Sequence, residues 1–221
     1  MDMSEAEPES RSEGRRKLSR EARQAQLIEA TIATLANHGY ARTTMGEVAR
    51  TAGLSHGLVN FHFETKEKLL STTLLYLSDE YREGWQSALE AAPPNAPDQI
   101  AALLRADFDP KICTPERLSA WGSFWGEAQT RPMYQEHCSA NDLYYTSTIE
   151  ALCQRMNDEH GYTSDAIHTA RVLRVVTEGL WRDLMTMTEP YERDEALATV
   201  WVCTAAFYPR HFGPGGLLAA G

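Results

Sequence analysis

The sequence has no C-x-x-C pair: its four cysteines, Cys113, Cys138, Cys153 and Cys203, stand far apart. Neither disulfide staples nor a zinc knuckle is therefore expected. No apolar run approaches the ~18 residues that a membrane span needs. The N-terminal stretch MDMSEAEPESRSEGRRK lacks the apolar centre of a secretory signal, so a cytoplasmic location is expected. There is no alternating segment long enough for a strand and no internal repeat. H-E-x-x-H, G-x-S-x-G and a glycine-rich phosphate loop are also missing, so no catalytic residue, metal or cofactor is assigned. His137, Cys138 and Cys153 share a helix but match no metal-ligand spacing, and the acid pair Asp107/Asp109 reads as a helix-end turn before Pro110.

What remains is an ordinary globular composition, 43% hydrophobic and 24% charged, with ample material for a core. The formal net charge of -10 is unevenly spread. Residues 1–10 carry four acids and no Lys or Arg, residues 11–70 carry ten Lys/Arg against six acids, and residues 71–221 carry eleven against twenty-one. A basic segment on an acidic body points to a polyanion partner at one end only.

Apolar residues recur at helical spacing almost throughout. Ala25, Ile28, Ile32 and Leu35 mark a first helix that ends near Gly39. Thr44 then caps a short helix, with Glu47 completing a T-x-x-E capping box. Gly53 stops that helix and Ser55 caps another, which runs to about Phe61. A long helix opens at Lys66 and continues until APPNAP. Further helices follow around Ile100–Phe108, Leu118–Ala128 and Met133–Met156, then over 165–187 and 192–208. The fold class is all-α, with about nine helices.

Two short helices separated by a glycine turn match helix-turn-helix geometry, in which the second helix enters the major groove. That second helix is too polar and small to be core: Ser55, His56, Gly57, Asn60 and His62 can all meet phosphates or base edges. Phe61 and Phe63 are expected to anchor it. Thr44 and Lys66 stand at helix N-termini, where free N–H groups favour a phosphate. Arg16 and Lys17 in the N-terminal arm would reach neighbouring phosphates.

The stretch TTMGEVARTAGLSHGLVNFHFETKEKLL resembles the DNA-binding signature of the tetracycline-repressor (TetR) family, specifically at Thr44, Val48, Ala49, Ala52, Gly53, Ser55, Gly57, Phe63, Lys66 and Leu69. The resemblance implies an all-helical homodimer with three DNA-binding helices, a small-molecule pocket in the remainder, and pairing through the last two helices. Asn60 stands where that family usually has Tyr; its amide could bond a phosphate or an adenine edge.

In the second half, AWGSFW, RPMY and EGLW resemble the corresponding region of the choline-responsive repressors of betaine synthesis, which implies a pocket for a quaternary ammonium compound. Trp121, Phe124, Trp125 and Trp181 are its candidate aromatic walls, with Tyr144 from the long helix. Glu178 and Glu127 are the candidate counter-charges. ATVWVCTAAFY is apolar almost all round and needs cover on two faces, so Trp201, Ala205 and Tyr208 are candidates for a dimer interface. The expected domains are an arm (1–17), a helix-turn-helix domain (18–64), an effector-binding and dimerisation domain (65–210) and a flexible tail (211–221).

The expected function is that of a dimeric, ligand-responsive transcriptional regulator, a repressor of a near-palindromic operator that a small molecule releases. The partners are double-stranded DNA, a small-molecule effector and a second copy of the chain, with no membrane. A regulator of an efflux or catabolic pathway, sensing an uncharged aromatic or a polyamine, is the alternative within that class. A helical hydrolase or binding protein without DNA is the alternative outside it.

Overall fold

The computed structural model describes residues 9–128 and 132–219, except for the side chains of 9–19 and 127–128. Among the described residues there are nine helices and one two-strand hairpin, and no helix is long and apolar enough to cross a membrane. The chain divides into two units, Met1–Thr73 and Leu74–Gly221, with the boundary inside a helix.

The first unit holds α1 (Glu9–Arg42), α2 (Met45–Ala52), α3 (His56–Phe63) and the opening of α4 (Lys66–Ala91). The α1 helix breaks at Gly39, whose φ of 72° is open to glycine at little cost. Thr44 caps α2 by accepting the Glu47 N–H at 3.2 Å. The Glu47 carboxylate, which a capping box would turn back on Thr44, is held by Arg50 at 2.9 Å. Gly53 adopts the left-handed conformation, and Leu54 N–H then reaches Ala49 O at 2.9 Å, closing the end of α2. Leu27, Ile28, Ile32, Leu35, Val48, Val59, Phe63 and Leu69 are the core of this unit.

The second unit holds the rest of α4, then α5 (Ala96–Ala106), α6 (Pro115–Ala128), α7 (Pro132–His160), α8 (Ala166–Thr186) and α9 (Arg193–Phe207). Asn95 caps α5 and Asp165 caps α8, each accepting the N–H three residues on. The long α7 packs on α5, α6 and α8, and α8 also packs on α6 and α9. Gly122 allows the close approach of α6 and α8, because a Cβ there would stand 2.5 Å from Met185 Sδ.

Of the segment expected as a flexible tail, residues 211–219 are instead folded back. Strands β1 (Phe212–Gly213) and β2 (Gly216–Leu217) pair antiparallel, and Phe212 is buried with its ring stacked on Trp201 at 6.1 Å. Gly216 lies against the same indole, where a Cβ would meet the ring at 3.4 Å. Gly216, one of the glycines that make the segment look unstructured, is what lets it lie flat on Trp201. Phe212→Ala should lower the unfolding free energy by about 3 kcal/mol, read as a fall in the urea midpoint. An unchanged midpoint would show that the hairpin adds nothing to stability.

Candidate functional site

On α3, Val59 and Phe63 are buried and leave the opposite side of the helix outward. Ser55 caps it, accepting Leu58 N–H at 3.3 Å, and His56, Gly57 and Asn60 are exposed. Asn60 Nδ2 lies 3.3 Å from His56 Nδ1, so the two side chains present one joint polar surface. Phe61, expected to anchor the helix, is 69% exposed on this face. Adjacent helical residues are about 100° apart, and the inward positions are already taken by Val59 and Phe63. His62 is half-buried rather than outward. Its Nδ1 is enclosed without a hydrogen-bond partner, and burial, then Arg20 and Arg23, hold its pKa below the usual value.

Thr44 is exposed at the start of α2. Lys66 Nζ donates to the carbonyls of Tyr40 and Ala41 at 3.3 and 3.4 Å and sits over the Tyr40 ring. Two of its three donors are thus spent on the end of α1. The side chains of Arg16 and Lys17 lie outside the described residues.

The second unit contains a cavity of about 750 Å³, within the usual range of small-molecule sites. Three indoles form a continuous wall: Trp121 and Trp125, one turn apart on α6, stack at 6.0 Å, and Trp125 stacks on Trp181 of α8 at 6.5 Å. Tyr81 of α4 meets Trp181 edge-on at 5.5 Å, and Tyr134 of α7 accepts Trp125 Nε1–H at 3.2 Å. Behind the wall is Asp107, which ends α5 and is fully buried. Its two carboxylate oxygens accept the Tyr81 and Tyr145 hydroxyls at 2.7 Å each, and its carbonyl accepts Trp181 Nε1–H at 3.0 Å. Burial, the largest influence, pushes its carboxyl up to about 7 against the downward pull of the tyrosine bonds, with Glu178 adding to the rise. Asp142 also lines the cavity and is pushed up to about 6, first by burial and then by Glu178, while Arg174 opposes the shift. Glu178 is paired with Arg174 in the same wall.

Of the residues expected in the pocket, Trp121, Trp125, Trp181 and Glu178 line it. Phe124 does not: it is buried in the packing, off the face that carries the indoles. Tyr144 points away from the cavity, packs on Trp85 at 5.0 Å and accepts from Gln86, while its neighbour Tyr145 faces inward. The Glu127 side chain lies outside the described residues. Tyr81, Tyr134, Asp142, Tyr145, Arg174 and Arg182 are among the lining residues that the sequence did not point to. Asp107, read as a turn residue, is the anchor behind it, and only Asp109 serves the turn, accepting Lys111 N–H.

Trp201 and Tyr208 are buried within their own chain, Trp201 beneath Phe212 and Gly216, and Tyr208 against Tyr162. Ala205 is half-buried against the same core. The aliphatic side chains left outward on α8 and α9 are instead Ile167, Val172, Val175 and Val202. All four cysteines are free thiols, and burial raises the pKa of each, Cys138 to about 12 and Cys113 and Cys153 to about 11.

Residues 27–72 match the pattern of the bacterial regulatory proteins of the tetR family, and residues 96–206 match the C-terminal domain of BetI-type transcriptional repressors. The HTH-type transcriptional regulator BetI 2 of Chromohalobacter salexigens is 30% identical over 162 residues, 72% of this chain and 75% of its own. The regulator BetI of Paraburkholderia xenovorans is 29% identical over 182 residues, 81% of this chain and 90% of its own. Among solved structures, a chain from Pseudomonas aeruginosa PAO1 described as a transcriptional regulator superposes with a TM-score of 0.72 at 24% identity, covering 84% of this chain and 90% of that one. Another so described, from Saccharomonospora viridis and in complex with choline, gives 0.73 at 17% identity, covering 87% and 98%. At such identities these two structures establish a shared fold.

The raised pKa of Asp107 has a measurable consequence. A carboxyl that holds its proton more tightly when folded favours folding below roughly pH 4, and that contribution is lost as pH rises to about 7. The stability of wild type minus that of Asp107→Asn should therefore fall across this window and level off above it, in urea titrations at successive pH values. A difference that stays flat throughout would return this carboxyl to the ordinary range.

Proposed function

The chain belongs to the tetR family of bacterial regulatory proteins, with a BetI-type C-terminal domain, and from that premise we propose that it represses transcription until a quaternary ammonium compound enters the indole-walled pocket. It is a ligand-responsive DNA-binding regulator and not an enzyme. Under the proposal it works in the cytoplasm as a dimer on a near-palindromic operator. Ser55, His56, Gly57, Asn60 and Phe61 of α3 face the major groove; Phe61 is suited to a thymine methyl and Asn60 to an adenine edge. Thr44, with the free N–H groups of α2, meets a phosphate. Arg16 and Lys17 extend the phosphate contacts, and Lys66 has one donor left for another.

One observation carries the effector assignment: three stacked indoles line a cavity that also holds the carboxylates Glu178 and Asp142. A quaternary ammonium has no N–H to donate, so aromatic faces backed by negative charge are its best host. The choline complex of the Saccharomonospora viridis chain supports the same ligand class. Effector and operator are coupled reciprocally, so a ligand that weakens DNA binding is itself held less tightly by the DNA complex.

The protein should retard its own upstream DNA in an electrophoretic shift, and millimolar choline or a related cation should reduce that retardation. Trp181→Leu keeps apolar volume but deletes a π face worth about 1–2 kcal/mol when desolvated. That variant should still bind the DNA yet respond at ligand concentrations raised about tenfold. An unchanged response would remove Trp181 from the ligand's contacts.

The exposed aliphatics of α8 and α9 support self-association better than Trp201 or Tyr208, which are already buried within the chain. Val202 is 56% exposed, so Val202→Asp leaves the fold of one copy intact and places a charge on the proposed two-fold patch. Sedimentation should find the wild type dimeric and this variant a folded monomer. A dimer that survives Val202→Asp would move the interface elsewhere.

A further inference from the structure

We propose that Asp107, behind the aromatic wall, is the counter-charge that attracts the cationic end of the ligand. The inference rests on the pocket taking a quaternary ammonium group, and it names the negative charge that holds that group. Asp107 is fully buried, and its carboxylate accepts from two neutral phenols, Tyr81 and Tyr145. Among the described residues no cationic side chain pairs with it, and the charged group that acts on it, Glu178, has its own sign. A buried carboxylate ordinarily has a cationic partner. Here the fold supplies none, and both phenols line a cavity that can admit one.

The carboxylates in the lining itself are weaker rivals. Glu178 and Asp142 both keep contact with solvent, and Glu178 is also paired with Arg174. Water and that guanidinium screen their pull on a guest. Asp107 has neither beside it, so its field is less attenuated. A cation touching either phenol is separated from the carboxylate by that phenol alone. Donating a hydrogen bond to an anion also moves electron density toward the phenol oxygen and its ring. A more electron-rich ring is a better host for a cation.

Tryptophan fluorescence titrations of the full chain test this, with choline and with dimethylbutanol, its neutral analogue carrying carbon in place of nitrogen. At about pH 8 Asp107 is ionised, and wild type should bind choline more tightly than the alcohol. Asp107→Asn should cut that preference about tenfold, the scale of one partly screened charge. Glu178→Gln should cut it less. A role confined to orienting the rings would instead weaken both compounds alike and leave their ratio unchanged.

Wild type alone gives a second reading, by calorimetry at about pH 7 in buffers of different ionisation enthalpy. There Asp107 still holds part of its proton, whereas Asp142, pushed up only to about 6, has lost most of its own. Burial keeps Tyr81, Tyr145 and Cys113 protonated, and Glu178 and Arg174 are the charged pair across the wall. Choline should therefore expel protons on binding, and dimethylbutanol should not. An unchanged ratio in Asp107→Asn, a larger loss in Glu178→Gln, or no proton release by choline would overturn Asp107 as the counter-charge and leave the quaternary ammonium reading standing. A wild type that ignores choline at millimolar concentration, or prefers the alcohol, would overturn both.

Discussion

The second unit is organised around one buried carboxylate. Asp107 draws the hydroxyls of Tyr81 from α4 and Tyr145 from α7 onto its two oxygens and the indole N–H of Trp181 from α8 onto its carbonyl. Three helices are thereby held to the end of a fourth by short polar bonds in a dry environment, where such bonds are strong and an unmatched group is costly. All three of those aromatic side chains also line the cavity. The wall is therefore fixed from behind. With their polar ends occupied, the rings hold their orientation before any ligand arrives, which reduces the ordering cost of binding.

Local features of this fold were legible in the sequence, and features set by distant packing were not. The caps at Thr44 and Ser55 and the glycine turn between them depend on a few consecutive residues. Residue type and spacing are enough to find them. The i,i+4 pair Trp121/Trp125 was visible for the same reason. Tyr144 and Tyr145 differ only by 100° about the α7 axis, and nothing in the chemistry of two adjacent tyrosines says which one turns inward. Asp107 reads as a turn residue because its partners lie 26, 38 and 74 positions away. The apolar character of α9 was legible too. Its cover was not, because Phe212 and Gly216 come from a segment so rich in glycine that it resembles a loose end.

The two units also divide the chemistry of charge. In the first, the outward face of α3 offers polar side chains and one exposed aromatic, and cationic groups lie beside it at Arg20 and Arg23. Such a surface suits base edges flanked by phosphates, with affinity drawn from the cations and discrimination from the polar side chains of α3. In the second, charges of both signs share a cavity with stacked indoles. Acidic residues predominate over the body as a whole, which discourages nucleic acid from binding anywhere but the basic end.

The state of the thiols bears on what this protein can be told. Cys113, Cys138, Cys153 and Cys203 are all held in the protonated form by burial. Peroxides and electrophiles react with the thiolate, which is scarce here at neutral pH. Thiol oxidation is therefore slow at these four positions, which sets them apart from the exposed, low-pKa cysteines of redox sensors.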